Sequence, residues 1–392
     1  YQALLLNTTG IQNVAVGYLS LASNTTGTNN TAVGAGALYS NTTGVTNSAV
    51  GYYALNQNVS GNDNTAMGLF ALRVNTASNN TAFGSSALRS NTSGTPNDAF
   101  GYLALYNNTT GVSNTAIGAN ALQANTTGSR NVAVGSSALG ASVSGSDNIA
   151  IGEKTLLTLN GGTSNTVVGS EAGYYMTTGN YNACYGSISG AAITTGAGNT
   201  CIGHQSAYTG ANNLTTGVSN VVIGYSAATS SAGASNQIVI GAAGVGQGDN
   251  YVSIGKGGTN YIYNQFTVNA TWTKASDERI KQNIQDMPIG LDFINELKVK
   301  QYNWKASYDI PTDIIGYSEE NTQDTEATMY GMIAQDVKAA MDKLGYEHFG
   351  GWNVREADGL QGLSNEMFVL PLINAVKELS ARVKELEAKI NA

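Results

Sequence analysis

A repeat of 17 residues constrains the fold of this chain more than any other feature of its sequence. The unit reads N-x-A-φ-G-x-x-A-L-x-x-N-T-T-G-x-x, where φ is a large apolar residue. Its first glycine recurs at Gly17, Gly34, Gly51, Gly68, Gly84, Gly101, Gly118, Gly135, Gly152, Gly169, Gly186, Gly203, Gly224, Gly241 and Gly255. Nearly all intervals are 17 residues, and the exceptions are 16 before Gly84, 21 before Gly224 and 14 before Gly255. A period broken only by small length changes predicts a solenoid with one coil per repeat.

The segment before each repeat glycine predicts a β-strand that is apolar on both faces. In Asn30–Gly34 the large residue precedes the glycine and an alanine precedes the large residue. Successive strand residues point to opposite faces, so one face fills the coil and the other requires a second apolar surface. We therefore expect the second face to pack on neighbouring chains around a threefold axis. Stacked coils rise about 4.8 Å each, which gives a rod on the order of 65–70 Å long.

Two further parts of the repeat carry structural expectations. The Ala-Leu pair, as at Ala37–Leu38, predicts a second strand in each coil. The N-T-T-G segment predicts a tight corner in which Asn and Gly take left-handed backbone angles, and stacked Asn and Thr side chains are expected to form hydrogen-bonded ladders. The same residues account for the many N-x-T sequons without glycosylation.

Composition changes sharply near residue 256. Only ten of the 44 charged residues lie in 1–255, and the formal net charge is −8 without a basic cluster. This argues against a nucleic-acid partner, and no apolar run is long enough to cross a membrane. We expect a repeat shaft over 1–255, a β connector over 256–275 and a second domain over 276–392. The chain begins in repeat phase at Tyr1, so we expect a longer parent protein.

Both cysteines, Cys184 and Cys201, lie at the alanine position of adjacent repeats. They are therefore expected to stack as structural filler. The distance between adjacent coils would also permit a disulfide, which stays an open alternative. No metal site and no cofactor are expected, because neither cysteine belongs to a metal-ligand pattern.

The repeats N-T-A-V-G and N-V-A-V-G resemble the head repeats of trimeric autotransporter adhesins, which read N-S-V-A-I-G. That resemblance covers about residues 11–255 and implies a trimeric parallel β-roll. This chain departs from those heads in its longer period.

The second domain carries three motifs in order. Ser276–Ile284 reads S-D-E-R-I-K-Q-N-I, Gly331–Val337 reads G-M-I-A-Q-D-V, and a final helix is predicted with a coiled coil over 367–391. Its apolar seam alternates three and four residues, through Val369, Leu372, Val376, Leu379, Val383, Leu386 and Ile390. The seam residues by themselves do not enforce three chains.

These motifs resemble the C-terminal intramolecular chaperone domain of phage tailspikes and tail fibres, best known from endosialidase tailspikes. The resemblance implies an α+β domain that drives trimer assembly and then cuts itself off between Ala275 and Ser276. It also implies Ser276 as the nucleophile and Lys281 as the base. A serine hydroxyl needs such a base, and a lysine can serve once burial favours its neutral amine.

The sequence thus predicts a homotrimeric phage tail fibre, in the virion or outside the cell, that binds a host-surface receptor. It predicts single-turnover self-cleavage and no turnover enzyme. The alternative is a bacterial surface adhesin or injection-system fibre with a retained C-terminal trimerisation domain. A glycosidase is disfavoured because the acids of 1–255 are scattered, whereas that chemistry needs two facing carboxylates. An ice-binding solenoid is disfavoured because the two threonines of N-T-T-G are adjacent and cannot share one strand face.

Overall fold

The computed structural model describes residues 2–257, 260–265, 273–274, 278, 281–312, 314, 317–321, 323–355 and 359–391. The chain divides into two compact units, residues 1–280 and 281–392. The bounds proposed above for the shaft, connector and second domain stay predictions.

The first unit is a β-solenoid of about 14 turns, as predicted. Each coil contributes one short strand, and the strands pair in parallel with each residue opposite its repeat equivalent, as in Ala32 opposite Ala49. The strands are β1 Val14–Val16, β2 Thr31–Val33, β3 Ser48–Val50, β4 Thr65–Met67, β5 Asn80–Phe83, β6 Asn97–Phe100, β7 Asn114–Ile117, β8 Val132–Val134, β9 Ile149–Ile151, β10 Thr166–Val168, β11 Ala183–Tyr185, β12 Thr200–Ile202, β13 Val221–Ile223, β14 Ile238–Ile240 and β15 Tyr251–Lys256. An antiparallel pair, β16 Asn260–Gln265 and β17 Thr273–Lys274, extends the sheet.

The interior of each coil is narrow. The strand alanine, the second alanine and the leucine are fully buried, as at Ala32, Ala37 and Leu38. The strand's large residue faces outward instead, and the inward strand position holds a smaller side chain, which is alanine in most coils and Val167, Cys184, Cys201, Val222 or Val239 in later ones. The sequence predicted two apolar faces but did not say which residue lies inside.

The prediction of a second strand at Ala-Leu is wrong. The segment after each repeat glycine is a series of turns, and the leucine takes a left-handed conformation, with φ 51° at Leu38. This conformation directs the backbone N–H of Leu38 to the carbonyl of Ala54 on the next coil at 3.0 Å. Stacking hydrogen bonds and burial of the leucine compensate a backbone region that side-chain residues rarely adopt.

The corner prediction is partly wrong. The N-T-T-G glycines have no left-handed φ; the left-handed residue lies two positions later, as at Thr46 with φ 60°. The strand-ending position does require glycine. At Gly101 φ is 143°, and an added Cβ would lie 2.5 Å from the Gly118 carbonyl oxygen.

The predicted asparagine ladders run along two sides of the solenoid, and the N-T-T-G column holds asparagine only as far as Asn125. Asn41 donates its amide to Asn24 Oδ1 at 2.9 Å and to the Gly44 carbonyl at 3.0 Å. Asn47 donates its backbone N–H to Asn30 Oδ1 at 3.0 Å. Both side chains are fully buried, so Asn41, which begins an N-T-T sequon, serves the interior.

The four-residue insertion before Gly224 is absorbed as an exposed loop. The loop closes where the Leu214 N–H donates to the Ala207 carbonyl at 3.1 Å, and the parallel pairing of β12 with β13 continues beside it. The inserted residues therefore leave the coil stack intact.

The second unit is a small α+β assembly. Its elements are helix α1 Leu291–Glu296, strands β18 Val299–Tyr302 and β19 Met329–Met332, helix α2 Ala334–Leu344, strands β20 Trp352–Val354 and β21 Gln361–Leu363, and helix α3 Val369–Ile390. Its core is Ile289, Phe293, Val337, Ala340, Met341, Phe349 and Phe368.

Candidate assembly surfaces and cleavage site

The outer face of the solenoid sheet carries a continuous column of large apolar side chains, which we call the apolar stripe. It consists of Val16, Val33, Val50, Met67, Phe83, Phe100, Ile117, Val134, Ile151, Val168, Tyr185, Ile202, Ile223, Ile240 and Ile254. Each precedes a repeat glycine, and each is half-buried or exposed. The exposed members leave between 36% of their surface, at Phe83, and 57%, at Val16, open to solvent. Together they present on the order of 900 Å² of apolar surface, more than the largest patch of a typical monomer.

The stripe is ordered within the chain. Phe83 and Phe100, on adjacent coils, stack with ring centroids 5.3 Å apart and planes 10° apart. The backbone beneath is locked by parallel pairing, so the stripe is a rigid surface rather than a set of mobile side chains. A rigid apolar surface of this size is suited to packing on another protein surface.

A second apolar column lies on helix α3. Its first turns pack in the core, with Pro371 and Ala375 buried, and Asn374 donates its amide to the carbonyls of Met287 and Ile289 at 2.9 and 3.1 Å. From residue 376 to residue 390 nearly every side chain is exposed, including the predicted seam residues Leu379 and Leu386 at 47% and 58%. The seam therefore has no partner within the described chain.

The G-M-I-A-Q-D-V motif forms the junction of β19 and α2. Val337 points into the core of the second unit, and Asp336 lies 3.8 Å from the Lys300 ammonium. The motif thus leads from β19 into α2, which packs against α1, β20 and β21, so it has a folding role in this unit.

The predicted cleavage residues Ala275 and Ser276 lie outside the described residues. Lys281 is described and is exposed. The assignment of Ser276 and Lys281 as catalytic residues therefore stays a prediction.

The two cysteines occupy the place that the repeat predicted. Cys184 pairs with Cys201 in register on adjacent strands, both are fully buried, and both thiols are free. Hydrogen bonding with Cys184, reinforced by burial, raises the pKa of the Cys201 thiol well above its ordinary value. A buried thiol that resists ionisation is not a nucleophile.

Two pairs of consecutive tyrosines lie on the solenoid surface. Tyr52 packs edge-on against Tyr53 with centroids 4.4 Å apart, and Tyr174 packs likewise on Tyr175 at 4.7 Å. These contacts favour packing, although Tyr52 and Tyr175 also expose about half of their surface.

Sequence reasoning missed two charged features of the shaft, a cluster of arginines on aromatic rings and a carboxylate on the outer sheet face. Arg73 and Arg89 lie against the rings of Phe70 and Tyr106, and Asp98 is the charged residue on the outer sheet face. The signal for Asp98 was available in the sequence, since this residue interrupts an outward column that otherwise holds Thr, Ser, Ala, Val or Ile.

No helix within the described ranges is long and apolar enough to cross a membrane. The same residues contain no group of three His, Cys, Asp or Glu side chains placed to hold a metal ion.

Fold and surfaces together define a β-solenoid followed by a small α+β region, whose last helix packs on the core through its first turns and is exposed from residue 376 onward. Residues 276–346 match the family model described as the chaperone of endosialidase. The match confirms the predicted endosialidase-type chaperone domain at the C-terminal end of the chain. No curated protein and no solved structure matches the chain. The resemblance of the repeats to autotransporter adhesin heads stays a prediction.

Proposed function

We propose that this chain is the subunit of a homotrimeric fibre of the phage tail-fibre type, which acts outside the cell and contacts a host-surface receptor. Its C-terminal domain templates the trimer and is then released by self-cleavage between Ala275 and Ser276. The family match at residues 276–346 supports the chaperone role.

The observation that carries the proposal is the pair of unpartnered apolar columns, one on each unit. The apolar stripe runs along the stack of coils, the seam runs along α3, and both are partly or largely exposed in the single chain. Self-association of three chains covers both columns with the same symmetry operation, and closed cyclic symmetry is the usual outcome for homo-oligomers.

A template is useful because the shaft specifies its own alignment weakly. Successive coils are nearly identical, so a slip by one coil preserves most contacts between chains. A globular domain with a short coiled coil starts the three chains in phase, and the shaft then assembles from that end. Removal of the template afterwards makes the fibre kinetically stable, because the domain that guides folding and assembly is no longer attached.

The proposed cleavage follows from the two motif residues. The Lys281 amine removes the proton of the Ser276 hydroxyl, and Oγ attacks the carbonyl carbon of Ala275. The Ala275–Ser276 peptide bond breaks, its nitrogen takes up the proton, and water hydrolyses the resulting ester to leave the Ala275 carboxylate and the Ser276 hydroxyl. Lys281 is exposed in the single chain, and burial by neighbouring chains favours the neutral amine that this step needs.

Intact-mass analysis of the full chain and of Ser276→Ala tests the proposal, together with gels of boiled and unboiled samples. Wild type is expected to split at Ala275/Ser276, whereas Ser276→Ala and Lys281→Ala stay whole. Lys305→Ala, at another exposed lysine, is the matched control and is expected to split. A trimer that stays whole in the wild type would contradict the cleavage step and favour a permanent trimerisation tip.

A further inference from the structure

Two arginines form a preorganised cationic pair on the shaft. Arg73 and Arg89 lie five residues after Gly68 and Gly84, at the same position of adjacent coils. Both guanidinium carbons lie 5.2 Å from the centroid of the Phe70 ring. Arg89 also lies 5.6 Å from the Tyr106 ring centroid and donates to the Tyr106 hydroxyl at 2.8 Å. Stacking on aromatic faces holds both charges in place.

Within residues 2–257 the pair lacks a counter-charge. The other two shaft cations have acidic neighbours, since Arg130 forms a bidentate pair with Asp147 and Lys154 lies 3.5 Å from Glu153. In residues 2–257 no acidic side chain pairs with Arg73 or Arg89, and the buried Nε of Arg73 has no hydrogen-bond acceptor. Two like charges on adjacent coils favour a nearby anion.

A matching anion lies on the outer sheet face. Asp98 in β6 lies two residues before Phe100 of the apolar stripe. The other outward-facing positions of strands β1 to β14 hold uncharged residues. It is exposed, and no cation of residues 2–257 pairs with it. Covering the stripe removes water from this carboxylate, which is costly unless a cation replaces the water.

The two charges lie at nearly the same height along the shaft. Arg89 and Asp98 are nine residues apart on the single coil between Gly84 and Gly101. A coil of this kind rises about 4.8 Å, so their heights differ by about 2.5 Å. Threefold rotation keeps equal residues at equal height, and it packs one patch of a chain on a different patch of the next.

We propose that Asp98 of one chain pairs with Arg89 of the next chain in the trimer, with Arg73 adding to the local positive field. This inference rests on the trimer proposed above and identifies the two faces that meet. The stripe face carrying Asp98 packs on the neighbour's aromatic-arginine face, which is defined by Phe70, Arg73, Arg89 and Tyr106. Charge complementarity then selects this pairing of faces over others.

A charge-swap cycle on the full chain tests the pair, with trimer dissociation in urea followed by sedimentation. Arg89→Asp and Asp98→Arg are each expected to weaken the trimer at least tenfold, and the double variant is expected to recover most of that loss. The matched control combines Arg89→Asp with Asp63→Arg, an exposed acid at a corner position, and is expected to show no recovery. A double variant no stronger than its singles would overturn the pair.

Zero-length cross-linking gives a second readout that does not depend on stability. In Arg89→Lys, a carbodiimide is expected to join the new amine to Asp98 of the neighbouring chain, giving covalent dimers and trimers on boiled gels. Gln123→Lys places the same amine in the same column two coils further on, and it is expected to give no more cross-linked dimers and trimers than the wild type. Equal cross-linking in the two variants overturns the pair. A monomeric wild type would instead overturn the proposed trimer, so the two failures are distinguishable.

Discussion

The apolar stripe gives a prediction whose size follows from its exposure. Ile117 and Ile151 leave 42% and 39% of their surface exposed in the single chain. That is about 75 Å² each, worth about 1.8 kcal/mol when buried. Replacing isoleucine by threonine keeps the β-branched shape and removes roughly half of this gain. Two positions in three chains then weaken the trimer by about 5 kcal/mol, which is a 10³- to 10⁴-fold change in the dissociation constant.

Sedimentation of the Ile117→Thr/Ile151→Thr chain across a urea series measures this loss. The matched control is Val59→Thr/Val143→Thr, because those valines are 45% and 39% exposed at the N-T-T-G corner, outside the stripe. The control is expected to dissociate at the wild-type urea concentration. Equal midpoints for both double variants would refute the assignment of the stripe as the interface, since equal exposure would then carry equal energy on either face.

Three more predictions follow from the interior and from the C-terminal helix. Asn114→Ala removes the acceptor of the Asn131 backbone N–H and is expected to lower shaft stability by about 2–4 kcal/mol; calorimetry that finds no larger loss than for Thr115→Ala would count against the ladder. The Cys184→Ala/Cys201→Ala chain is expected to have a free energy of unfolding within about 1 kcal/mol of the wild type. The two thiols of the wild type are expected to react with a thiol reagent only after unfolding, and rapid labelling of the folded protein would contradict their burial. Leu379→Asp places a charge in the α3 seam and is expected to abolish trimer formation on light scattering; a full yield of trimers would exclude the seam.

The period of the repeat was sufficient to predict the solenoid, because each coil uses the same residues at the same place. Fixed apolar phase determined strand position, and stacking of identical asparagines predicted the ladders seen at Asn41 and Asn47. Local sequence also predicted the final helix, which spans Val369–Ile390, whereas the pairing of its seam with other chains stays a prediction.

The turns that follow each repeat glycine could not be predicted from the sequence. Alanine followed by leucine is typical of a buried strand, and nothing in local propensity indicates a left-handed leucine such as Leu38. The conformation arises from hydrogen bonds to the next coil, which are contacts 16 or 17 residues away. The same limit applies to the Arg89 cluster, because its partners Phe70 and Tyr106 lie on the coils below and above it.

The chain count of the assembled protein tests the central claim most directly. Light scattering coupled to size exclusion, applied to the Ser276→Ala chain so that the template stays attached, measures that count without reference to shape. The account predicts a mass three times the 40.5 kDa of one chain, unchanged on dilution. A mass equal to one chain would contradict it, because the apolar stripe and the α3 seam would then both remain in water.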